Sequence, residues 1–116
     1  MLQIRLVEQL EQAVDVPADG RRPETIDDIA VVKNHNPFAV NDAIFSKMHD
    51  YDWSKINNAG CSLVWGHPQG PTLTRSLIEG LEEAVDLGGG HVLIFGCAAG
   101  DVGIAAILRV TEGGNQ

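Results

Sequence analysis

The chain has 116 residues, enough for one domain with a modest core, and its 44% hydrophobic content marks a globular sequence. A formal charge of -8 at pH 7, with only eight scattered Lys and Arg, argues against a nucleic-acid or anionic-membrane surface, because neutralising a polyanion takes clustered cations. Two cysteines without regular spacing, no signal-like N-terminus and no apolar run long enough to span a bilayer point to a reducing, cytoplasmic setting with both thiols free.

From the N-terminus, Leu6, Val7, Leu10, Ala13 and Val14 recur at helical spacing, so residues 2–15 read as an amphipathic helix. Pro17 to Pro23 is a Pro-, Gly- and charge-rich connector. Thr25-Ile26-Asp27-Asp28 then leads into Ile29 to Lys33, a β-branched run suited to a buried strand. That strand exits at Asn34-His35-Asn36-Pro37-Phe38, where Asn36 can cap and Pro37 can open the next helix. Val40, Ala43, Ile44 and Met48 give this helix an apolar stripe to about His49.

Tyr51 to Asn58 reads as a loop and Ala59 to Trp65 as a second strand. Pro71 opens a further helix with Leu73, Leu77, Leu81, Ala84 and Val85 as its buried stripe, and Gly88-Gly89-Gly90 stops it. Val92 to Gly96 is a third strand. Val102 to Val110 fits strand or helix by periodicity alone, and its Val, Ile and Leu content favours a strand. Strands and helices alternate until the last strand pair, as in an α/β sheet with one antiparallel edge. No internal repeat or low-complexity segment is present.

Two stretches carry candidate chemistry. His67, held between Gly66 and Pro68 just before a helix start, has a confined backbone and an accessible ring. Cys97 follows an apolar run into a small-residue turn, and chemistry in such sheets collects at strand ends. A histidine and a thiol so placed form a candidate acid/base pair.

These segments together resemble the C-terminal end of a thiolase. Thiolases carry an Asn-Glu-Ala-Phe or His-Glu-Ala-Phe segment, an Asn-x-x-Gly-Gly segment running into Gly-His-Pro, and a late Cys-x-Gly-Gly-Gly-x-Gly segment. Here stand His35-Asn36-Pro37-Phe38, then Asn57-Asn58-Ala59-Gly60-Cys61 running into Gly66-His67-Pro68, then Cys97-Ala98-Ala99-Gly100-Asp101-Val102-Gly103. Order and spacing agree over roughly residues 3–110, and three motifs in register are far more specific than one. The departures are Asn36-Pro37 for Glu-Ala, Cys61 for a glycine, a bulky Trp65, and Ala99 and Asp101 for glycines in the last motif.

The resemblance implies a thiolase-like C-terminal half-domain, a single domain over residues 1–116 with a mixed sheet flanked by helices. It has four strand-like runs where that half-domain has five, the absent one being the first, central strand. The resemblance also implies acyl transfer on CoA thioesters, by thiolytic cleavage or Claisen condensation, with coenzyme A thioester as substrate and no covalently bound cofactor. In it His67 makes the nucleophilic thiolate, Cys97 handles the α-proton, His35 helps hold a thioester oxygen with His67 as co-donor, and the Ala99 amide serves a second oxyanion site. Neither cysteine matches the family's nucleophile, which belongs to an N-terminal half. The expected partners are acyl-CoA, such a half on the same or another chain, and further copies in a homo- or hetero-oligomer. Nucleic acid and membrane are not expected.

The other reactive side chains have plainer readings. Cys61 reads as a small core residue in mid-strand, and His49 and His91 as loop and strand-edge residues. No Cys-x-x-Cys or paired-His spacing suggests a metal. The glycine-spaced run after the third strand invites a dinucleotide fingerprint, but too little chain follows for its helix, second strand and acidic residue. A second class of function stays open: a non-catalytic thiolase-like module that binds a partner or a pantetheine arm.

Overall fold

The computed structural model describes residues 23–98 and 102–111. The expected helix over 2–15, most of the 17–23 connector and Ala99 lie outside them.

The described chain enters through a short 3-10 turn, Ile26–Asp28, whose start is fixed by Asp28. Its Oδ2 accepts from the backbone N–H of Glu24 at 2.8 Å and of Thr25 at 2.9 Å. Those two donors, Thr25 first, hold the carboxyl below its usual range. Strand β1, Ile29–Asn34, follows, then helix α1, Val40–His49. The short helix α2, Ser62–Trp65, precedes the long helix α3, Thr72–Asp86, and the chain ends in β2, Gly90–Ala98, and β3, Val102–Val110.

The sheet order is β1-β2-β3. β1 runs parallel to β2, with Val32 opposite Leu93 and Asn34 opposite Phe95, and β2 pairs antiparallel with β3 along nine consecutive positions. The mixed sheet with one antiparallel edge is therefore as the sequence suggests. The described residues carry no strand between β1 and β2. The two are hydrogen-bonded directly, so the sheet of the described residues has three strands.

The run Ala59 to Trp65 is not a strand. Its neighbourhood makes only a single parallel bridge, Val32 to Ile56, before Asn57 at φ 59° and Gly60 at φ 125° turn the chain away from the sheet. A Cβ on Gly60 would overlap the Trp65 indole. The apolar residues that suggested a strand, Leu63, Val64 and Trp65, are 51%, 65% and 59% exposed. Cys61, expected in mid-strand, caps this short helix half-buried.

Asn36 does not cap α1 either. That helix starts after Ala39 with no side-chain cap, and Asn36 serves a different purpose described below. The α1 stripe also differs from expectation. Val40, Ile44 and Met48 are exposed, and Phe45 is the buried residue, stacked on Phe95 with ring centroids 4.6 Å apart.

Two clusters fill the two faces of the sheet. Ile29, Val32, Phe45, Tyr51, Ile56, Leu93 and Phe95 pack on the α1 side, and Val31, Ala84, Val92 and Ile94 on the α3 side. α3 buries the line Thr72, Ser76, Gly80 and Ala84, with Leu73 and Leu77 only partly covered and Val85 63% exposed. The four-residue spacing puts these small side chains on one face, which lets the helix approach closely. A Cβ on Gly80 would stand 2.9 Å from Val92 Cγ1 and 3.2 Å from Lys33 Cγ. Lys33 itself is fully buried and reaches Glu83 on α3 at 2.7 Å. Gly88, Gly89 and Gly90, all at positive φ, end the helix as expected and lead straight into β2.

Candidate active site

The first candidate residue, His35, is placed by the end of β1. Its backbone N–H continues the ladder to Phe95 O at 2.9 Å, and only 6% of the residue is exposed. The segment that follows is tied down by a buried polar network. Asn36 Nδ2 donates to Asp42 Oδ2 at 2.5 Å, Asn34 Nδ2 donates to Asp42 Oδ1 at 2.7 Å, and Asn36 Oδ1 accepts from the Ser62 N–H at 3.1 Å. Asn57 Oδ1 accepts from the Asn34 N–H at 2.9 Å, while its own N–H donates to Val32 O. One carboxylate and three amides thus join β1, α1 and the segment leading to α2. Sequence reasoning missed this role of Asn34, Asn36, Asp42 and Asn57. Its only signal was three asparagines close to strand ends.

His67 follows α2 rather than a strand. Gly66 at φ 86° and Gln69 at φ 63° bend the chain on either side of it, a conformation costly for any residue but glycine and tolerated at one exposed glutamine. The His67 residue is exposed, but its Nδ1 is held from two sides. His35 Nε2 lies 3.0 Å away and Thr72 Oγ1 2.9 Å away. Both of those partners are buried. The two imidazoles stand with centroids 4.3 Å apart at 41°.

Cys97 lies within β2, paired with Gly103 of β3, rather than in a turn beyond the strand. It is half-buried, and among the described residues both cysteines are free thiols. The structure brings His35, His67 and Cys97 to one cavity of about 480 Å³. Thr72 and Gln69 contribute further polar groups, and Leu73, Val102 and Ile104 an apolar wall. Thr72 begins α3, so the positive end of that helix dipole adjoins the cavity and favours negative charge there.

Burial, and then the neighbouring His67 ring, push the His35 pKa below the ordinary histidine value of 6.5, while the main chain of Cys97 partly opposes the shift. His35 is neutral at neutral pH. The site therefore holds two coupled imidazoles, a thiol, and a slot with apolar walls: parts for proton transfer on a substrate with a flexible, partly apolar arm. His49 and His91 lie elsewhere. His49 ends α1 with its ring 4.6 Å from that of Phe45, and His91 pairs with Ile29 and Arg109 near the start of β2.

No helix among the described residues is long and apolar enough to cross a membrane. Residues 20–110 match the family model for the thiolase C-terminal domain. A 3-ketoacyl-CoA thiolase of Vibrio cholerae is 33% identical over 103 residues, covering 74% of this chain and 24% of that protein. One from Alteromonas mediterranea is 31% identical over 102 residues, 73% of this chain and 23% of the relative. A third, from Shewanella baltica, is 44% identical over 61 residues, 53% of this chain and 14% of the relative. The chain thus spans at most about a quarter of the length of these relatives, and the part it spans, with the histidine pair and the thiol on one cavity, belongs to the thiolase family as its C-terminal domain.

Proposed function

We propose that this chain is the acid/base half of a thiolase-type acyltransferase that cleaves or forms 3-ketoacyl-CoA thioesters in the cytoplasm. The observation that carries this reading is the convergence of His35, His67 and Cys97 on a single cavity in a thiolase C-terminal domain.

In the cleavage direction a cysteine thiolate of the N-terminal half attacks the 3-keto carbon, having lost its proton to His67. The bond between C2 and C3 then breaks with its electron pair on C2. Cys97 gives its proton to C2, releasing the shortened thioester, and the Cys97 thiolate takes the proton of an incoming CoA thiol. That CoA attacks the acyl-cysteine and carries the acyl group away. Condensation runs the same steps backwards. The main-chain amide of Ala99 remains our candidate for the second oxyanion donor, since a backbone donor survives the change from glycine to alanine.

The N-terminal half, on the same polypeptide or another, is the partner this reading requires. The exposed run Leu63-Val64-Trp65, just before His67 in the chain, offers an apolar surface for it or for another copy of the chain. The test is to assay acetoacetyl-CoA cleavage by the 116-residue chain alone and combined with an N-terminal thiolase half bearing the nucleophile. The expected result is no turnover alone and turnover in combination, lost in His67→Ala and in Cys97→Ala. Turnover that survives both substitutions would overturn the reading, and pantetheine binding with no turnover in combination would favour a non-catalytic module.

A further inference from the structure

We infer that the contact between His35 and His67 is an acid-sensitive latch: it holds the segment from Gly66 to Pro71 against the cavity while the two rings share at most one added proton, and releases it when both rings are charged. Such a latch regulates the site described above, and it rests on the proposed function only for what release switches off.

Two neutral imidazoles carry two hydrogens on four nitrogens. Across the 3.0 Å between His35 Nε2 and His67 Nδ1, one nitrogen then bears a hydrogen and the other accepts it. One added proton makes three hydrogens, and an arrangement with a single hydrogen between the rings still exists. A second added proton makes four. Every nitrogen is then a donor, the two facing atoms have no acceptor between them, and two positive rings with centroids 4.3 Å apart repel each other. This holds whichever ring donates at the start.

The surrounding elements offer no counter-charge. Among the described residues no carboxylate lines the cavity; β2 faces the pair with Cys97, a thiol and so uncharged in acid, and β3 with Val102, Gly103 and Ile104. Lys33, two residues before His35 on β1, is paired with Glu83, and Arg75, near the start of α3, lies beside Glu79. Asp42 of α1 is taken up by Asn34 and Asn36.

The ring that yields is His67. His35 is 6% exposed, its N–H is bonded to Phe95 O, and its Cβ packs on Gly96. His67 sits on an exposed segment with open space beside Gly66 and Gly70. Its ring is anchored by His35 and by Thr72 Oγ1, so loss of the first leaves one hydroxyl to hold it. Release separates His67 from His35 and from Cys97 together. The acid/base site is therefore assembled above the second protonation and taken apart below it.

The experiment is an NMR titration of the full chain from about pH 8 to about pH 4, with histidine ring signals reporting charge and 15N relaxation reporting backbone order. His35 and His67 should take up protons in two steps, the second at least about one pH unit below the first. The Gly66 and Gln69 amides should be ordered above the second step and mobile below it, with Val32 and Leu93 ordered throughout. In His35→Asn, whose amide bonds but does not charge, the acid-triggered mobility should vanish. Independent titration of the two rings, a segment that stays ordered with both charged, the same release in His35→Asn, or loss of order at Val32 and Leu93 in the same step would each overturn the latch. If His35→Asn does not fold, the titration of the unsubstituted chain decides alone. No CoA thioester enters these measurements, so a chain inactive in acyl transfer would leave the latch standing, and an active one without the second step would remove the latch alone.

Discussion

Gly96 and His35 are packed so closely that a Cβ on Gly96 would lie 2.7 Å from His35 Cβ and 2.8 Å from Leu73 Cδ2. Gly96 faces the base of the histidine pair across the β1–β2 boundary, and its missing side chain is the space in which the His35 ring settles. Gly96→Ala should therefore cost about 1–3 kcal/mol of stability through overpacking and should push His35 off His67. Urea unfolding together with the histidine ring signals would check both effects, and a Gly96→Ala chain with an unshifted His35 would contradict the argument.

The carboxylate of Asp42 serves Asn34 and Asn36 at once, and Asn36 in turn holds the Ser62 N–H. Asp42→Ala strands two buried amides, so a loss of about 1–3 kcal/mol is expected for each donor left unpaired. Because the same network sets the start of α2, the variant should also loosen the path to His67. Faster hydrogen exchange at Ser62 is the measurement, and unaltered protection there would count against it.

Lys33 and Glu83 form the ion pair beneath α3, with the lysine side chain 1% and the glutamate side chain 20% exposed. Glu83→Ala leaves a buried ammonium without its partner. Its cost should fall below the ~3–5 kcal/mol of a fully buried pair, since water reaches the glutamate. Lys33→Met removes charge and partner demand together and should be near neutral or stabilising. Chemical unfolding of both variants separates them, and an equal cost would show that the lysine stem, not its charge, is what the core requires.

His35 and His49 are both held below 6.5, each chiefly by burial. Their unfolded forms bind protons more readily than their folded forms, so stability rises with pH through the interval between the lowered values and 6.5. The contribution is fully present above 6.5 and is lost as pH falls through that interval. Unfolding midpoints should drop between pH 7.5 and 5.5, and His49→Gln should flatten part of the slope. A midpoint that holds constant over this range would show that neither ring is protonated more readily on unfolding.

An isolated chain that keeps Leu63, Val64 and Trp65 in water should not persist as a simple monomer. Light scattering across a dilution series is expected to show self-association at micromolar concentration, reduced by Trp65→Ser. A clean monomer unaffected by that change would leave the apolar run without a partner.

β1 and β2 were legible as apolar, β-branched runs, β3 by its Val, Ile and Leu content rather than by its periodicity, and α3 because Pro71 and the triple glycine mark both its ends. The stretch Ala59 to Trp65 was not, because apolar content says nothing about which side of the chain faces a sheet. There the backbone turns at Asn57 and Gly60, and a side-chain amide of Asn36, distant in sequence, fixes the next element. The same asparagine looked like a cap because a short-range motif was the only partner visible. Of the site, the histidine, the thiol and their grouping could be read from three motifs in register. Thr72 could not, because its approach to His67 depends on the φ of Gly66 and Gln69, which composition does not encode.

The direct parallel pairing of β1 with β2 also sets a timetable. β2 and β3 are joined by a few residues and form a hairpin whose contacts are local, so they can meet within microseconds. β1 can join only after the whole stretch from 35 to 89 has been brought round, and that loop must be closed before any of its contacts repay the lost entropy. Cys97 arrives with the hairpin, whereas His35 arrives with β1. The cavity is thus a late product of folding, and a chain halted before that closure would show an ordered hairpin with its thiol in place and no histidine pair beside it.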